Sequence, residues 1–191
     1  MYTLEIENPD KLFVTSDSHF SHFRICKYCH RPFESRSHMD QTLIDNWNSV
    51  VPEDGVVVHC GDFILAHKED LKEYMHYLNK LHGRVLLLRG NHDRASLDWS
   101  NEKLIAVRDN ALILVDGVKI YAQHYPCATF NGDMHIYGHI HTLSDGTCYG
   151  IDGDVTQRMR KNTYDVGVDQ NQYRPISYWE LCDIMRKQMC K

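Results

Sequence analysis

The sequence predicts an α/β protein, and three observations point there. Short apolar runs alternate with longer stretches of helical periodicity. Each of several apolar runs ends in Gly, Asp, Asn or His. Asp116-Gly117 sits between two apolar arms, the strongest short hairpin signal.

Taken in order, Leu12 to Thr15 reads as a buried strand running into Ser16-Asp17. Ser37 is expected to cap a helix with Met39, Leu43, Trp47 and Val50 on its apolar face, stopped before Pro52. Val56 to Val58 is a second strand, ending at Gly61-Asp62. A helix from about Lys68 would carry Leu71, Tyr74, Met75, Leu78 and Leu81 on one face and end at Gly83. Val85 to Leu88 is a third strand, leading into Gly90-Asn91-His92-Asp93. Leu112 to Val115 and Val118 to Ala122 form the hairpin, whose second arm leads to His124. Met134 to Tyr137 is a strand before Gly138-His139, and Tyr164 to Val168 is a further short one. Ser177 and Glu180 have capping-box spacing, which starts a helix over Tyr178 to Met189.

Composition bounds the function. The 191 residues suit one domain over 1–191 with a core large enough to need no disulfide staple. With 42% apolar and 25% charged residues the composition is that of an ordinary globular chain. No apolar run reaches transmembrane length, and Met1 to Asp10 lacks a basic signal-peptide region, so the expected location is cytoplasmic and no membrane partner is expected. The seven cysteines are read as reduced thiols. Cys26-Lys27-Tyr28-Cys29-His30 has the spacing of a haem attachment pattern but no export signal beside it, and reads as two ordinary cysteines near a helix end. A net charge of -5 counts against long nucleic acid as a partner. No phosphate-cradling glycine loop supports ATP or NAD dependence.

The chemistry lies in five polar blocks, each placed after a strand, where α/β sheets bind ligands. Asp17-Ser18-His19 and Gly61-Asp62 are weak signals alone, since a capping Asp or a Gly-Asp turn is common. Gly90-Asn91-His92-Asp93 offers an oxygen ligand, a histidine that titrates near neutrality and a carboxylate that could orient it. His124 alone reads more readily as structural than as a ligand. In Gly138-His139-Ile140-His141, two histidines at i and i+2 of an extended segment face one side.

Together, in this order, the blocks resemble the signature of the calcineurin-like metallophosphoesterase family, across Asp17 to His141. Asp17-Ser18-His19-Phe20-Ser21-His22, Arg31-Pro32-Phe33, Gly61-Asp62-Phe63, His124-Tyr125-Pro126, Val166-Gly167-Val168-Asp169 and Arg174-Pro175 are similar to a compact bacterial and phage-type subgroup. The resemblance implies a four-layer α/β/β/α sandwich of two packed β-sheets flanked by helices. It implies two divalent ions, one held by Asp17, His19, Asp62 and His141, the other by Asp62, Asn91, His124 and His139, with Asp62 and a nucleophilic hydroxide between them. His92 would stabilise or protonate the phosphoryl group, Asp93 would hold His92, and His22 would lie at the pocket mouth, toward substrate. A mixed imidazole and oxygen set favours Mn, Fe or Zn over Mg or Ca. The expected activity is hydrolysis of a phosphodiester or phosphomonoester, the diester favoured, in a small, nucleotide-like substrate. Two alternatives stay open: a phosphoprotein phosphatase, and a noncatalytic, metal-stabilised interaction module of the same fold. The substrate, the oligomeric state and any protein partner are not legible.

Overall fold

The computed structural model describes residues 1–65, 71–93, 101–143, 145–148 and 160–190. Its elements, in chain order, are β1 (Tyr2–Ile6), β2 (Leu12–Thr15), α1 (Arg24–Tyr28), α2 (Arg36–Val50), β3 (Val56–His59), α3 (Leu71–Leu78), β4 (Arg84–Leu88), β5 (Leu104–Arg108), β6 (Asn110–Val115), β7 (Val118–Gln123), β8 (Met134–Tyr137), β9 (Thr163–Asp165), β10 (Ile176–Ser177) and α4 (Tyr178–Met189). Among the described residues they build two five-stranded sheets, β10-β2-β3-β4-β5 and β1-β6-β7-β8-β9.

The first sheet is parallel from β2 to β5, with β10 antiparallel at its edge. Its strands are apolar runs because both faces are covered. Alternate residues point to opposite sides of a strand. Phe13, Val57, Val85 and Leu87 therefore pack with Met39, Leu43, Ile44 and Trp47 of α2 and with Tyr74 and Leu78 of α3. From the other face, Leu12, Val14, Val58, Leu86 and Leu88 meet Ile113, Ile120, Ala122 and Ile136 of the second sheet. Tyr178, Leu181 and Met185 of α4 close that same inter-sheet core. The outcome is two sheets packed face to face and flanked by helices, in agreement with the expected class.

Local chemistry sets the element ends. The capping box at Ser177 and Glu180 forms as expected. The cap of α2 is Ser35 rather than Ser37: the Ser35 hydroxyl accepts from the His38 N–H, so the helix begins two residues earlier. The start expected near Lys68 lies outside the described residues. Asp116 and Gly117 both take positive φ, 51° and 75°, and Val115 pairs with Val118 across that turn. Cys26 and Cys29 are buried and free in and beside α1, and all seven cysteines are free. Among the described residues no helix is long and apolar enough to cross a membrane.

Two buried histidines are locked neutral. The Gly61 N–H donates to His59 Nδ1 at 3.2 Å, so His59 carries its proton on Nε2 and donates to Ser18 Oγ at 2.9 Å. His135 Nδ1 donates to the Tyr121 carbonyl at 3.1 Å, while its Nε2 accepts from the Cys127 N–H at 3.3 Å. Burial lowers His59 to about 3 and His135 to about 4. An unfolded histidine takes up its proton near pH 6.5, so below that pH the unfolded chain gains protons that these folded sites refuse. Each site should therefore subtract stability as pH falls below about 6.5, at up to about 1.4 kcal/mol per pH unit. Urea unfolding of ion-free protein at several pH values, beside His59→Gln and His135→Gln, checks this. Each variant should flatten the slope by about one proton; slopes identical to wild type would mean the histidines charge within the fold.

Candidate metal centre

Five loops converge where β2, β3, β4, β7 and β8 end. Backbone hydrogen bonds stitch them together: Asp17 N to Gly61 O at 2.9 Å, His19 N to Asp62 O at 3.0 Å, and Gly138 N to His124 O at 2.9 Å. Close approach explains two glycines here. A Cβ at Gly90 would lie 2.1 Å from Asp62 Oδ1, and one at Gly138 2.3 Å from Asp17 Oδ2. The loops also carry strain: Asp17, His19, Asp62, His139 and His141 hold φ of 55°, 52°, 54°, 73° and 47°. Left-handed backbone at such residues costs on the order of 1–3 kcal/mol each and persists where surrounding structure enforces it.

The side chains gather in two halves. Asp17, His19 and His141 form one cluster with metal-ligand spacing, and Asp62, His124 and His139 form another. Asn91 joins the second, its Oδ1 lying 3.1 Å from His124 Nε2. Asp62 Oδ2 stands between the halves, 3.5 Å from both His19 Nε2 and His124 Nε2. All seven residues expected to hold metal are thus brought to one place.

Their tautomers say what belongs there. His124 Nδ1 donates to the Cys60 carbonyl at 2.8 Å, which leaves a lone pair on Nε2, facing the Asn91 and Asp62 oxygens. His141 Nδ1 donates to Asp169 Oδ2 at 2.8 Å and turns Nε2 toward Asp17 Oδ1 at 3.8 Å. His19 Nε2 is buried with no hydrogen bond, 3.5 Å from Asp62 Oδ2 and 4.0 Å from Asp17 Oδ1. A buried nitrogen left unpaired among acceptors is costly. Acceptors facing acceptors fit a cation, so this donor set suits a divalent ion in each half.

Charge tells the same story. Burial raises Asp17 to about 7, the nearby His141 opposing it, and burial with the Asp17 and Asp93 charges raises Asp62 to about 8. Burial drives His19 well below its ordinary value and His124 to about 3. His141 goes the other way: burial works against its charge, but Asp17 and the Asp169 hydrogen bond outweigh that and push it up to about 11. Without a cation, the chain assembles carboxylates that resist ionisation.

The remaining expected residues divide. His92 is 32% exposed in its side chain, its Nε2 3.9 Å from Asp62 Oδ2 and its ring centroid 5.1 Å from that of His19. Its backbone N–H donates to Asp62 Oδ1 at 2.9 Å. Asp93, expected to orient His92, also ties two turns together. Its carboxylate accepts from the backbone N–H groups of Asp62 at 2.6 Å, Phe63 at 3.1 Å and Gly90 at 3.0 Å, and from the Tyr74 hydroxyl at 3.4 Å. Those donors fill both oxygens, so Asp93 binds the Gly61-Asp62 turn to the Gly90 turn. His22, expected at the mouth, is buried, its Nδ1 3.2 Å from His19 Nδ1 and its ring centroid 5.6 Å from that of His92. Sequence reasoning missed Arg31 and Asp169 as individual site residues. Asp165 was missed too; it accepts from the Thr142 and Gly167 N–H groups at 2.9 and 2.8 Å.

The chain is 32% identical over 180 residues to uncharacterized protein MJ1445 of Methanocaldococcus jannaschii, covering 93% of this chain and 92% of that protein. The chain belongs to the same family as that archaeal protein. Its name states no activity, so membership brings none with it. No protein-family model matches. The crystal structure of a protein of unknown function, AQ665 from Aquifex aeolicus, shares the fold at a TM-score of 0.68 and 25% identity, covering 91% of this chain and 98% of that one. A fainter likeness, TM-score 0.43 at 17% identity over 82% of this chain and 81% of that one, is to an archaeal phosphodiesterase.

Asp62 offers a test. Its carboxyl is raised to about 8 while an unfolded aspartate ionises near 4, so stability falls as pH climbs from about 4 to about 8 and the loss is complete above that. Asp62→Asn should therefore raise the melting temperature of ion-free protein above that pH, each 1 kcal/mol counting for roughly 2–4 °C. Added Mn(II) should raise the melting temperature of wild type and leave the variant nearly unmoved. A variant less stable than wild type without ions would mean that the neighbours of Asp62 favour its carboxylate rather than crowd it.

Proposed function

We propose that this chain is a dinuclear metal-dependent phosphoesterase. It would hydrolyse a phosphodiester in preference to a phosphomonoester, in a small, nucleotide-like substrate. The observation that carries the reading is the buried, unpaired His19 Nε2, which faces the Asp17 and Asp62 carboxylates. The order of the five blocks, that of calcineurin-like metallophosphoesterases, supports it independently.

Asp17, His19, Asp62 and His141 would hold one ion; Asp62, Asn91, His124 and His139 would hold the other. The shared position of Asp62 Oδ2 supports a bridging role. Mn, Fe or Zn suits the mixed imidazole and oxygen set. When bound, such a pair supplies a water acidic enough to attack near neutral pH and steadies the attacking and leaving oxygens.

The chain's own residues do the rest. His92, half exposed beside Asp62 and His19, would touch the phosphoryl group and stabilise its charge or deliver a proton to the leaving oxygen. His22 would steady His19. Asp93 would keep the two turns that present Asp62 and His92 at a fixed separation. Two divalent cations exceed the charge of Asp17 and Asp62, so the loaded site would draw a phosphate anion although the whole chain carries -5.

The test is hydrolysis of a chromogenic phosphodiester and its matching monoester by ion-stripped protein, with Mn, Fe, Zn or Mg added back singly. Turnover is expected with the first three, faster on the diester. His92→Ala should lower kcat by roughly 10²- to 10⁴-fold while ion uptake is retained. Undiminished turnover in His92→Ala would remove His92 from the mechanism. Stoichiometric ion uptake without turnover on either ester would favour a metal-stabilised interaction module, and turnover confined to a phosphoprotein would favour a protein phosphatase.

A further inference from the structure

Behind His141 lies a buried ion pair that the phosphoesterase reading does not use. Arg31 is 4% and Asp169 8% exposed, and they are 138 residues apart in sequence. Arg31 Nε donates to Asp169 Oδ1 at 2.7 Å and Nη2 to Oδ2 at 3.0 Å, a two-pronged pairing. The same guanidinium reaches forward, with Nη1 donating to the Ser18 carbonyl at 3.0 Å and Nη2 to the Asp17 carbonyl at 2.7 Å. Asp169 Oδ2 in turn accepts from His141 Nδ1 at 2.8 Å.

These contacts close a ring. It starts at the Asp17 backbone, passes through guanidinium, carboxylate and imidazole, and returns to the Asp17 side chain, 3.8 Å from His141 Nε2. One rigid fork thus sets the distance between the loop that carries Asp17 and His19 and the loop that carries His141. Among the described residues, His124 in the other half rests instead on the neutral Cys60 carbonyl.

We infer that Arg31 and Asp169 are positioning residues for one half of the metal centre, so that the ion on Asp17, His19 and His141 depends on them and the ion on Asp62, Asn91, His124 and His139 does not. The inference rests on the two-ion reading. Two arguments support it. A buried ion pair is a poor way to hold a fold, because well-packed apolar side chains of similar volume serve as well or better. A carboxylate behind a ligating imidazole, by contrast, fixes its tautomer and strengthens it as a ligand. Cys29, His141 and Asp169 also have metal-ligand spacing, which could suggest a third ion. The cation of that pocket is already present, however: it is the Arg31 guanidinium, and an ion beside it would face repulsion.

The test compares the full chain with Arg31→Lys and Asp169→Asn. Arg31→Lys keeps the charge and loses the fork. Asp169→Asn keeps the volume and loses the charge. Mn(II) alone is the probe, read by titration against a chelator and by electron paramagnetic resonance, with circular dichroism as the check on folding. Wild type should take up two ions whose spins couple. In each variant one ion should bind roughly 10- to 100-fold more weakly while the other is unchanged, so that partly loaded variants show isolated Mn(II). Titrations identical to wild type overturn the inference, and so does equal weakening of both ions, the mark of a merely structural pair. If Arg31→Lys does not fold, Asp169→Asn carries the test by the same criteria. A wild type that takes up no Mn(II) overturns the two-ion reading and this inference together, whereas two ions bound without ester hydrolysis would overturn the enzyme reading alone.

Discussion

The rest of the molecule depends on one constraint: oxygen and nitrogen lone pairs must be held facing one another in a buried space. Asp17, Asp62, Asn91 and His124 turn acceptors inward, and the Nδ1 donors of His124 and His141 point outward to Cys60 and Asp169. Such an arrangement is stable only with protons or a positive charge among the oxygens. It survives only on a frame that will not relax, and the frame is visible. Parallel strands β2, β3 and β4 end side by side, their buried runs covered on both faces. Interloop backbone bonds then fix each turn relative to the next.

The frame also explains where strain is tolerated. Asp17, His19, Asp62, His139 and His141 adopt left-handed backbone, which for Asp and His is uncommon and mildly unfavourable. Each sits at the tip of a turn whose neighbours are bonded across the site, so relaxing one residue would break bonds at two loops. Asp93 shows how concentrated this control is. One carboxylate collects three backbone donors from two turns. Burial raises it to about 6 against the pull of those donors, yet its geometry leaves little freedom to the Asp62 and His92 positions it joins.

Legibility followed the range of the interaction. Continuous or alternating apolar runs read directly: β2 and β8 were expected with their observed bounds, and β3, β4, β6 and β7 within two residues at either end. The Ser177 cap read equally well, because a capping box is local. β1 was missed since Tyr2–Ile6 lies at a sheet edge, with burial alternating between partial and none, and carries Glu5 within it. β10, two residues long, owes its pairing to Val14 and Phe13 rather than to its own pattern. At the site, the metal-competent residues stood out because each followed an apolar run. Arg31 and Asp169 did not, since an arginine in a loop and an aspartate 138 residues later carry no shared local signal. Adjacency in sequence pointed Asp93 to His92 alone, whereas its donors at Asp62 and Phe63 lie in another turn and leave no local signal.

The outward partners make the two halves chemically unequal. His141 leans on a carboxylate that is itself held by a guanidinium, and His124 leans on a peptide carbonyl. A carboxylate behind an imidazole strengthens it as a ligand more than a carbonyl can. The half built on Asp17 is also enclosed, with Asp17, His19 and His141 all buried. The Asp62 half opens toward His139 and Tyr125, which is 48% exposed with its ring 4.7 Å from that of His139. An ion in the first half would be gripped and shielded, and an ion in the second would be held by weaker donors nearer solvent. Donor strength and exposure are thus divided unequally between two clusters that share one carboxylate, Asp62. That division follows from which atoms stand behind each imidazole, and a list of the ligands alone does not contain it.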